Sequence, residues 1–336
     1  MQMVPGPRNL ITDVPGFAVG NAQNAAMKTG VTVLTGSEPF GASCHVMGGA
    51  PGTRETDLLA PEALIDRVDA IVLSGGSAMG LEAASGVAEA LQAQGRGVPV
   101  YGKVVPIVPA AIVLDYPARG EDGPGPWRTL GVDALAAQGA EIALGSAGAG
   151  IGATTADLKG GLGSASAVLP SGVTVGAVVV ANPIGTVIHG STGQFLAASF
   201  ELGDEFGGLG SAVGPVPWAP TKVEQGMGAG SATSIAIVAT DAILSKAELK
   251  RLSVMAHDGL ARAILPSHTP FDGDIVFAAS SRQRPIVTEG PDMIHLGHAA
   301  ASCLARAVAR AIYAATPAPG DPKPTWSQAY GADRGG

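Results

Sequence analysis

Residues 228–242 read GAGSATSIAIVATDA, a glycine-rich segment that runs directly into an apolar segment with several β-branched residues. The first part is typical of a loop, and the run from Ile235 to Thr240 is typical of a buried strand. Two hydroxyl residues, Thr233 and Ser234, lie where the predicted loop becomes the predicted strand. Hydroxyl residues are common where loops meet strands, so this position alone also fits a purely structural interpretation.

The hydroxyl of Thr233 gains a chemical role only if a base removes its proton, because an unassisted threonine is a poor nucleophile. When threonine is the first residue of a chain, its own α-amine can be that base, with an unperturbed pKa of about 7.7–8.0. A strained, glycine-rich loop ahead of a rigid strand is a suitable place for a chain to cut itself. The sequence therefore suggests a cut between Ala232 and Thr233.

The composition indicates a protein with a large core and a sparsely charged surface. Of its 336 residues 14% are charged, and the formal net charge is −8. The chain contains no run of basic residues, which argues against nucleic acid as a partner. A mean hydropathy of +0.30 in so weakly charged a chain favours a homo-oligomer, because little of the surface can stay wet.

The cysteines and the ends of the chain predict a cytoplasmic protein. Cys44 and Cys303 lack the spacing of a zinc site, and we expect both to be buried thiols in a reducing compartment. Residues 1–8 lack the features of a signal peptide, and no apolar run reaches about 20 residues, so we expect no membrane span. Residues 317–336 are rich in proline, glycine and polar residues, and we expect a disordered tail there.

An asparagine follows one of the most apolar stretches of the chain. Residues 173–181 are almost entirely apolar and predict a strand that is covered on both faces. Asn182 comes directly after it, and an amide at the end of a strand can donate a hydrogen bond to a developing oxyanion. Asparagine before proline is also common in ordinary turns, and Pro183 follows here, so both interpretations stay open.

Two aspartates flank a glycine at the entrance of another predicted strand. Asp272 and Asp274 enclose Gly273, and an apolar run begins immediately afterwards at Ile275. Carboxylates this close repel each other, so we expect a cation to compensate them, such as Lys159, a substrate amine or the α-amine of a cleaved chain. The alternative is a solvated acidic turn.

Two motifs suggest a cofactor, and neither has the required context. The segment SGGS at 74–77 joins a predicted strand to a predicted helix, as a phosphate loop does, but it lacks the Walker lysine and the G-x-G-x-x-G spacing. His295 and His298 have a spacing found in metal sites, without an acidic partner in phase. We therefore expect no nucleotide, no other cofactor and no metal.

Predicted strands and helices alternate irregularly along the chain. Two long helices are predicted over about 242–264, with a capping box that begins at Ser245, and over 293–315. A long Gly/Pro-rich linker, 203–230, leads to the suggested cut, and residues 120–127 predict an exposed loop. This pattern predicts an α/β protein of layered α+β architecture without an internal domain boundary.

Seven short stretches, together and in this order, are specific for one family. They are TDVPG (12–16), GAPGTRETD (49–57), GGSAMG (75–80), KGGLGSAS (159–166), NP (182–183), the stretch at 228–242 and HTPFDGD (268–274). With them the chain resembles the P1 (S58) peptidases over about residues 9–315. This family comprises the L-aminopeptidase/D-amidase/esterase enzymes, the β-peptidyl aminopeptidases and the endo-type 6-aminohexanoate (nylon) oligomer hydrolases.

The resemblance implies a fold and a chain organisation. The expected fold is an α-β-β-α sandwich like that of ornithine acetyltransferase, an N-terminal nucleophile fold usually assembled as a homotetramer. A single catalytic domain would occupy residues 1–316. Self-cleavage would divide the chain into an α chain, 1–232, and a β chain, 233–336.

The resemblance also implies roles for individual residues. Thr233 corresponds to the nucleophile that self-cleavage exposes, and Asn182 corresponds to the asparagine that stabilises the oxyanion. Lys159 corresponds to a lysine in the catalytic site of the nylon oligomer hydrolases. Asp272 and Asp274 correspond to the acidic pair of that branch, where the peptide-cleaving branch has Ser and Glu.

The implied reaction is amide hydrolysis through an acyl-enzyme. The substrates would be small peptides, amino-acid amides or ω-amino amide oligomers, and the acidic pair favours the oligomers. Two other functions stay open. An acyltransferase of the ornithine acetyltransferase type would pass the acyl group to an amine, and a binding protein on the same scaffold would remain unprocessed.

Two positions depart from the pattern of the family. The residue before the cut is often Asn or Gly, whereas this chain has Ala232, which could slow processing. A tyrosine of the family's active site corresponds to Leu114, with Tyr116 nearby. Details of the reaction that involve a phenol therefore stay open.

Overall fold

The computed structural model describes residues 3–116, 125–227 and 232–331. Two predicted features lie partly outside these ranges: most of the exposed loop over 120–127, and the residues immediately before Ala232.

Within these ranges the chain forms strands and helices in an irregular alternation, as predicted. The strands are β1 (Phe17–Asn24), β2 (Thr29–Val46), β3 (Thr53–Arg54), β4 (Arg67–Ser74), β5 (Val98–Val100), β6 (Lys103–Val105), β7 (Ala110–Ile112), β8 (Gly161–Val168), β9 (Thr174–Asn182), β10 (Thr233–Ala242) and β11 (Ile275–Arg284). The helices are α1 (Glu82–Ala93), α2 (Trp127–Ala136), α3 (Lys246–Ala263), α4 (Pro291–Tyr313) and α5 (Trp326–Tyr330).

Among the described residues, nine strands form one sheet in the order β3-β7-β4-β2-β11-β10-β9-β8, with β1 paired to β2. The first half of β2 pairs with β1 and β4, and its second half pairs with β11 and, at Phe40 and Gly41, again with β4. The pairing register between β2 and β4 shifts between Thr35 and Phe40, where residues 37–39 are exposed. This irregularity lets the long strand turn the sheet back over itself.

Three buried clusters separate the layers that result. One lies between the two halves of the sheet and contains Ile71 together with Ile235 and Ile237. A second packs the other face of β10 against α3 and α4, and a third packs β2 and β4 against α1 and α2. The layers therefore follow the order α-β-β-α, which confirms the predicted layered α/β fold. The two predicted sheets are continuous through β2 rather than separate.

The central strand is β10, and its burial explains its composition. All ten of its residues are buried, and its apolar side chains alternate between two of the clusters. Beside it, α3 begins as predicted: the Ser245 hydroxyl accepts a hydrogen bond from the backbone of Glu248, whose side chain accepts one from Ser245.

The C-terminal segment corrects the predicted disorder for residues 317–331. The Trp326 ring is 4% exposed and stacks on Phe195, with ring centroids 5.8 Å apart. Its Nε1 donates to the Gly193 carbonyl at 2.8 Å, and Thr325 caps the short helix α5. A buried aromatic anchor helps to order a polar segment whose average composition predicts disorder. Residues 332–336 lie outside the described ranges.

Two further predictions concern single residues. The predicted exposed loop over 120–127 is wrong at its end, because Trp127 begins α2, is 5% exposed and donates to Thr29 Oγ1 at 3.0 Å. Cys44 and Cys303 are buried free thiols, as predicted. No helix in the described part of the chain is long and apolar enough to cross a membrane.

Candidate active site

The predicted nucleophile and the predicted oxyanion residue are neighbours in the sheet. Thr233, the first residue of β10, pairs with Asn182, the last residue of β9, in the antiparallel register of the two strands. On the other side of β10, Ala232 forms a parallel bridge with Asp272. The register of three adjacent strands thus brings together residues that are far apart in the sequence.

The peptide bond between Ala232 and Thr233 carries two hydrogen bonds on its carbonyl oxygen. The Thr233 hydroxyl donates to the Ala232 carbonyl oxygen at 2.5 Å. The backbone N–H of Gly273 donates to the same oxygen at 3.1 Å. Both residues of this bond are buried, Ala232 at 1% and Thr233 at 3% exposure. The nucleophile and a polarising donor therefore meet at one desolvated carbonyl.

Position 273 requires glycine, because a side chain there would collide with the Thr233 hydroxyl. A Cβ atom at this position would lie 2.7 Å from Thr233 Oγ1 and 2.7 Å from the carbonyl oxygen of Ala50. Real Cβ atoms essentially never approach other atoms closer than 3.0 Å. The glycine between the two aspartates therefore has a steric function, which the sequence alone does not reveal.

The amide of Asn182 has a defined orientation. Its Oδ1 accepts hydrogen bonds from the backbone N–H of Thr154 and from Lys222 Nζ, both at 3.0 Å. Its Nδ2 donates to the carbonyl oxygen of Leu114 at 3.1 Å. Two donors on one side require the oxygen there, so the assignment of oxygen and nitrogen follows from the partners. An amide nitrogen carries two hydrogens, and the bond to Leu114 uses one of them.

Asp272 is buried and held by backbone groups. The residue is 1% exposed, and its Oδ1 accepts a hydrogen bond from the Ile184 N–H at 3.2 Å. Its Oδ2 accepts from the N–H of Thr269 at 2.9 Å and from the hydroxyl of Thr269 at 2.7 Å. Burial, and then repulsion from Asp274, raises the pKa of this carboxyl.

Asp274 links the start of β10 to a histidine. Its Oδ1 accepts from the Ser234 N–H at 2.7 Å, and its Oδ2 lies 2.8 Å from His268 Nδ1. Burial opposes protonation of His268, but hydrogen bonding and attraction from Asp274 outweigh it, and the pKa of His268 is raised. Both aspartates are 1% exposed, which excludes a solvated acidic turn. When it is protonated, His268 compensates the charge of Asp274, and nothing in its sequence context indicates this pairing.

The structure places Lys159 in contact with the C-terminal segment. Its Nζ donates to Asp321 Oδ2 at 2.7 Å and to the Thr316 carbonyl at 3.0 Å. Asp321 also accepts from Lys28 Nζ at 2.8 Å, so two buried ammonium groups share one carboxylate. The contacts of the Lys159 ammonium therefore tie the C-terminal segment to the fold, and they do not include Thr233 or the acidic pair.

A different lysine reaches the oxyanion residue. Lys222 is fully buried, and its Nζ lies 3.3 Å from the backbone oxygen of Asn182 as well as 3.0 Å from Oδ1. Burial lowers the pKa of Lys222 to about 7, although attraction from Asp272 acts in the opposite direction. The one available signal in the sequence was that Lys222 is the single lysine of the Gly/Pro-rich linker.

The two cofactor motifs have other surroundings. The N–H of Gly76 donates to Asp115 Oδ1 at 2.9 Å, so a carboxylate occupies the position where a phosphate would have to bind. His295 and His298 lie on the exposed side of α4. The described ranges contain no group of three or more His, Cys, Asp or Glu residues that could hold a metal ion.

Comparison with known proteins agrees with this geometry. A family model described as peptidase family S58 matches residues 9–325. The chain belongs to peptidase family S58. An uncharacterized aminopeptidase of Mycobacterium tuberculosis is 41% identical over 335 aligned residues, covering 94% of this chain and 96% of the relative. The 6-aminohexanoate-oligomer endohydrolase of Paenarthrobacter ureafaciens is 30% identical over 303 residues, covering 84% and 78% respectively.

The fold of this S58 peptidase also has solved counterparts. The Burkholderia β-aminopeptidase superposes with a TM-score of 0.69 at 24% identity, covering 99% of this chain and 95% of that one. Family membership and the two relatives confirm the resemblance and make the protein a hydrolase of peptide-type amide bonds.

Proposed function

We propose that this S58 peptidase cuts itself between Ala232 and Thr233 and then hydrolyses amide bonds with Thr233 as an N-terminal nucleophile. The single observation that carries this proposal is the pair of hydrogen bonds on the Ala232 carbonyl, from the Thr233 hydroxyl and from the Gly273 N–H. The hydroxyl is adjacent to the carbonyl group it would attack, and a donor is already in place for the charge that develops on the oxygen.

Self-cleavage would proceed through an ester. Thr233 Oγ1 attacks the carbonyl carbon of Ala232, and the Gly273 N–H stabilises the negative charge on the carbonyl oxygen. The carbon–nitrogen bond then breaks, and the nitrogen takes up the proton that the hydroxyl has lost and becomes the α-amine of Thr233. Water hydrolyses the ester between Ala232 and the Thr233 hydroxyl, which leaves a carboxylate on Ala232 and a free hydroxyl on Thr233.

Amide hydrolysis would reuse the same hydroxyl. The α-amine of Thr233 takes the hydroxyl proton while Oγ1 attacks the carbonyl carbon of the substrate. The second hydrogen of Asn182 Nδ2 stabilises the oxyanion, and the leaving amine departs with the proton. Water, activated by the same α-amine, hydrolyses the acyl-enzyme. Asp274 would hold the start of β10 by accepting the hydrogen bond from the Ser234 N–H. Asp272 would carry the negative charge that balances the nearby ammonium of Lys222.

The proposed substrates are small peptides, amino-acid amides and ω-amino amide oligomers. The aminopeptidase relative at 41% identity supports peptides, and the endohydrolase relative at 30% identity supports oligomers of 6-aminohexanoate. Asp272 and Asp274 match the acidic pair that favours the oligomers. In this proposal Lys159 supports the structure around the site, because its ammonium donates a hydrogen bond to Asp321.

We also propose a homotetramer in the cytoplasm. The sparse surface charge supports oligomerisation, as do large apolar side chains that are exposed in the single chain, such as Trp218 at 74% and Leu64 at 95%. Light scattering on the purified protein tests the tetramer, and a mass equal to that of one chain would contradict it.

The experiment that tests the processing is intact mass under denaturing conditions. Wild type should give two fragments, one ending at Ala232 and one beginning at Thr233, whereas Thr233→Ala should stay whole. Thr233→Ser keeps a hydroxyl and is the matched control, which should still be cut. Wild type that remains whole after long incubation would contradict the proposal and favour a binding protein.

A second measurement separates hydrolysis from acyl transfer. Processed wild type is incubated with a short peptide amide and with a 6-aminohexanoate oligomer, with and without an added amine acceptor. Free acid should form in every case, and a product that appears only as the acylated amine would indicate a transferase. If both substrates stayed intact, the proposed substrate classes would be wrong.

A further inference from the structure

The most unusual group near the proposed site is the fully buried ammonium of Lys222. The backbone of Lys222 is held by the segment that follows β9, because the Lys222 N–H donates to the Ile184 carbonyl at 3.1 Å. The N–H of the same Ile184 donates to Asp272 at 3.2 Å. Ile184 thus binds both the segment that carries the lysine and Asp272, the carboxylate whose charge raises the pKa of Lys222.

The ammonium determines which way the Asn182 amide faces. Asn182 Oδ1 accepts from Lys222 Nζ and from the Thr154 N–H, each at 3.0 Å. A flipped amide would place its NH₂ group against two donors, which is unfavourable. Without the lysine only one donor would oppose the flip, and the flipped amide would have no hydrogen to offer at the proposed oxyanion position.

The charge of Lys222 also acts on the strength of the donor. A cation on the amide oxygen draws electron density from the amide nitrogen, and hydrogen bonds in such a chain strengthen one another in a water-free site. Burying an ammonium group costs free energy, and an apolar side chain of equal length would fill the same space at a lower cost. Filling space is therefore an insufficient explanation for a lysine at this position.

We infer that Lys222 is a positioning residue for the proposed reaction: its ammonium holds the Asn182 amide with Nδ2 toward the oxyanion and strengthens that donor. The inference rests on the proposed function. It assigns a role in the reaction to a residue of the linker ahead of the cut. Lys222 acts through Asn182 and does not itself contact the reacting atoms in this inference.

A pH dependence follows, because only the protonated lysine carries the charge. Among the described residues, the charged groups that act on Lys222 are Asp272, which raises its pKa, and Lys323 of the C-terminal segment, which lowers it. With burial as the largest influence, the pKa of Lys222 falls to about 7. The contribution of the charge to the rate should therefore be present at mildly acidic pH and fade as the pH rises.

The test compares Lys222→Met with wild type on one amide substrate, with rates expressed per cleaved chain as counted by intact mass. Methionine keeps the length and removes the charge and the donors. We expect kcat to fall roughly 10–100-fold, as it does for residues that orient the ligands of a metal, with KM changed little. The ratio of wild-type to variant kcat/KM should shrink from about pH 6 to about pH 9. A purely structural role would give a ratio that does not change with pH.

The matched control is Lys246→Met. Lys246 is also buried, but its ammonium donates to the carbonyls of Leu58 and Ala63. Its loss should leave kcat and the pH profile unchanged. If Lys222→Met lacks a cooperative melting transition, Lys222→Arg decides: it keeps its charge at about pH 9 and should retain more of its pH 7 activity there than wild type does.

The outcomes separate this inference from the proposed function. Wild type that hydrolyses no amide would overturn the proposed function, and the inference with it. Active wild type with a folded Lys222→Met of equal kcat, or with a ratio independent of pH, would overturn the role of Lys222 alone. A Lys222→Arg variant whose pH profile matches that of wild type would also overturn it.

Discussion

Gly273→Ala adds one methyl group between the aspartates and should slow self-cleavage. The new Cβ would lie 2.7 Å from Thr233 Oγ1 and 3.1 Å from Thr233 Cγ2, and ordinary contact begins at 3.4 Å. The hydroxyl must therefore move by 3.4 − 2.7 = 0.7 Å, unless the backbone moves instead. A displacement of about 1 Å can cost roughly 10²-fold in rate, so we expect processing to slow by about one to two orders of magnitude. The free energy of unfolding should fall by about 1–3 kcal/mol through overpacking.

The assay for Gly273→Ala follows the disappearance of the whole chain by intact mass after purification. Gly139→Ala is the matched control, because a Cβ at that glycine meets nothing within 4 Å. It should be processed at the wild-type rate. If Gly273→Ala were also processed at that rate, with an unchanged melting temperature, the close approach of Gly273 and the Thr233 hydroxyl would have no part in the cleavage.

Three further predictions concern the surroundings of the site. Asn182→Ala should lower kcat by about 10²–10³-fold in cleaved enzyme, the cost of one oxyanion donor, and a loss below tenfold would contradict its role. His268→Gln should destabilise the chain most below about pH 6.5 and least at high pH, because the pKa of His268 is raised and its bond to Asp274 stabilises the protonated form. Urea unfolding of both proteins across pH measures this. A difference in the free energy of unfolding that stays constant with pH would refute it. Asp321→Ala leaves two buried ammonium groups without their carboxylate and should lower the free energy of unfolding by roughly 3 kcal/mol. Urea unfolding of the uncut Thr233→Ala chain, with and without this second substitution, measures the loss. An unchanged midpoint would contradict it.

The fold could be predicted to the extent that it depends on local patterns. The apolar run after Thr233 and the capping box at Ser245 each specify an element, because burial and helix capping act over a few residues. The bend of β2 could not be predicted, because it depends on which strands pair with each half of one long strand. The order around Trp326 depends on a contact with Phe195, more than a hundred residues away.

The candidate site, like the fold, could be predicted only where local patterns determine it. Thr233 and Asn182 could be proposed because each lies at the end of an apolar strand and because the family motifs assign each a role; the strand ends alone left a structural interpretation open. The two lysines could not be distinguished, since which ammonium reaches the amide depends on the path of a linker without regular structure. Lys159 precedes the two glycines of the motif KGGLGSAS yet pairs with Asp321, whereas Lys222 lies outside every motif and binds Asn182.

The topology explains how the proposed cut could leave the protein intact. The cut would separate β9 and β2, in the α chain, from β10 and β11, in the β chain. In the sheet the four strands follow the order β2-β11-β10-β9, so both strands of the β chain lie between strands of the α chain. Separating the fragments would break two strand pairings and expose a strand buried along its whole length. We therefore expect the two fragments to elute together under native conditions, and the new α-amine to be held at the end of a rigid strand. That rigidity is what an amine needs if it is to serve as the base for its own hydroxyl.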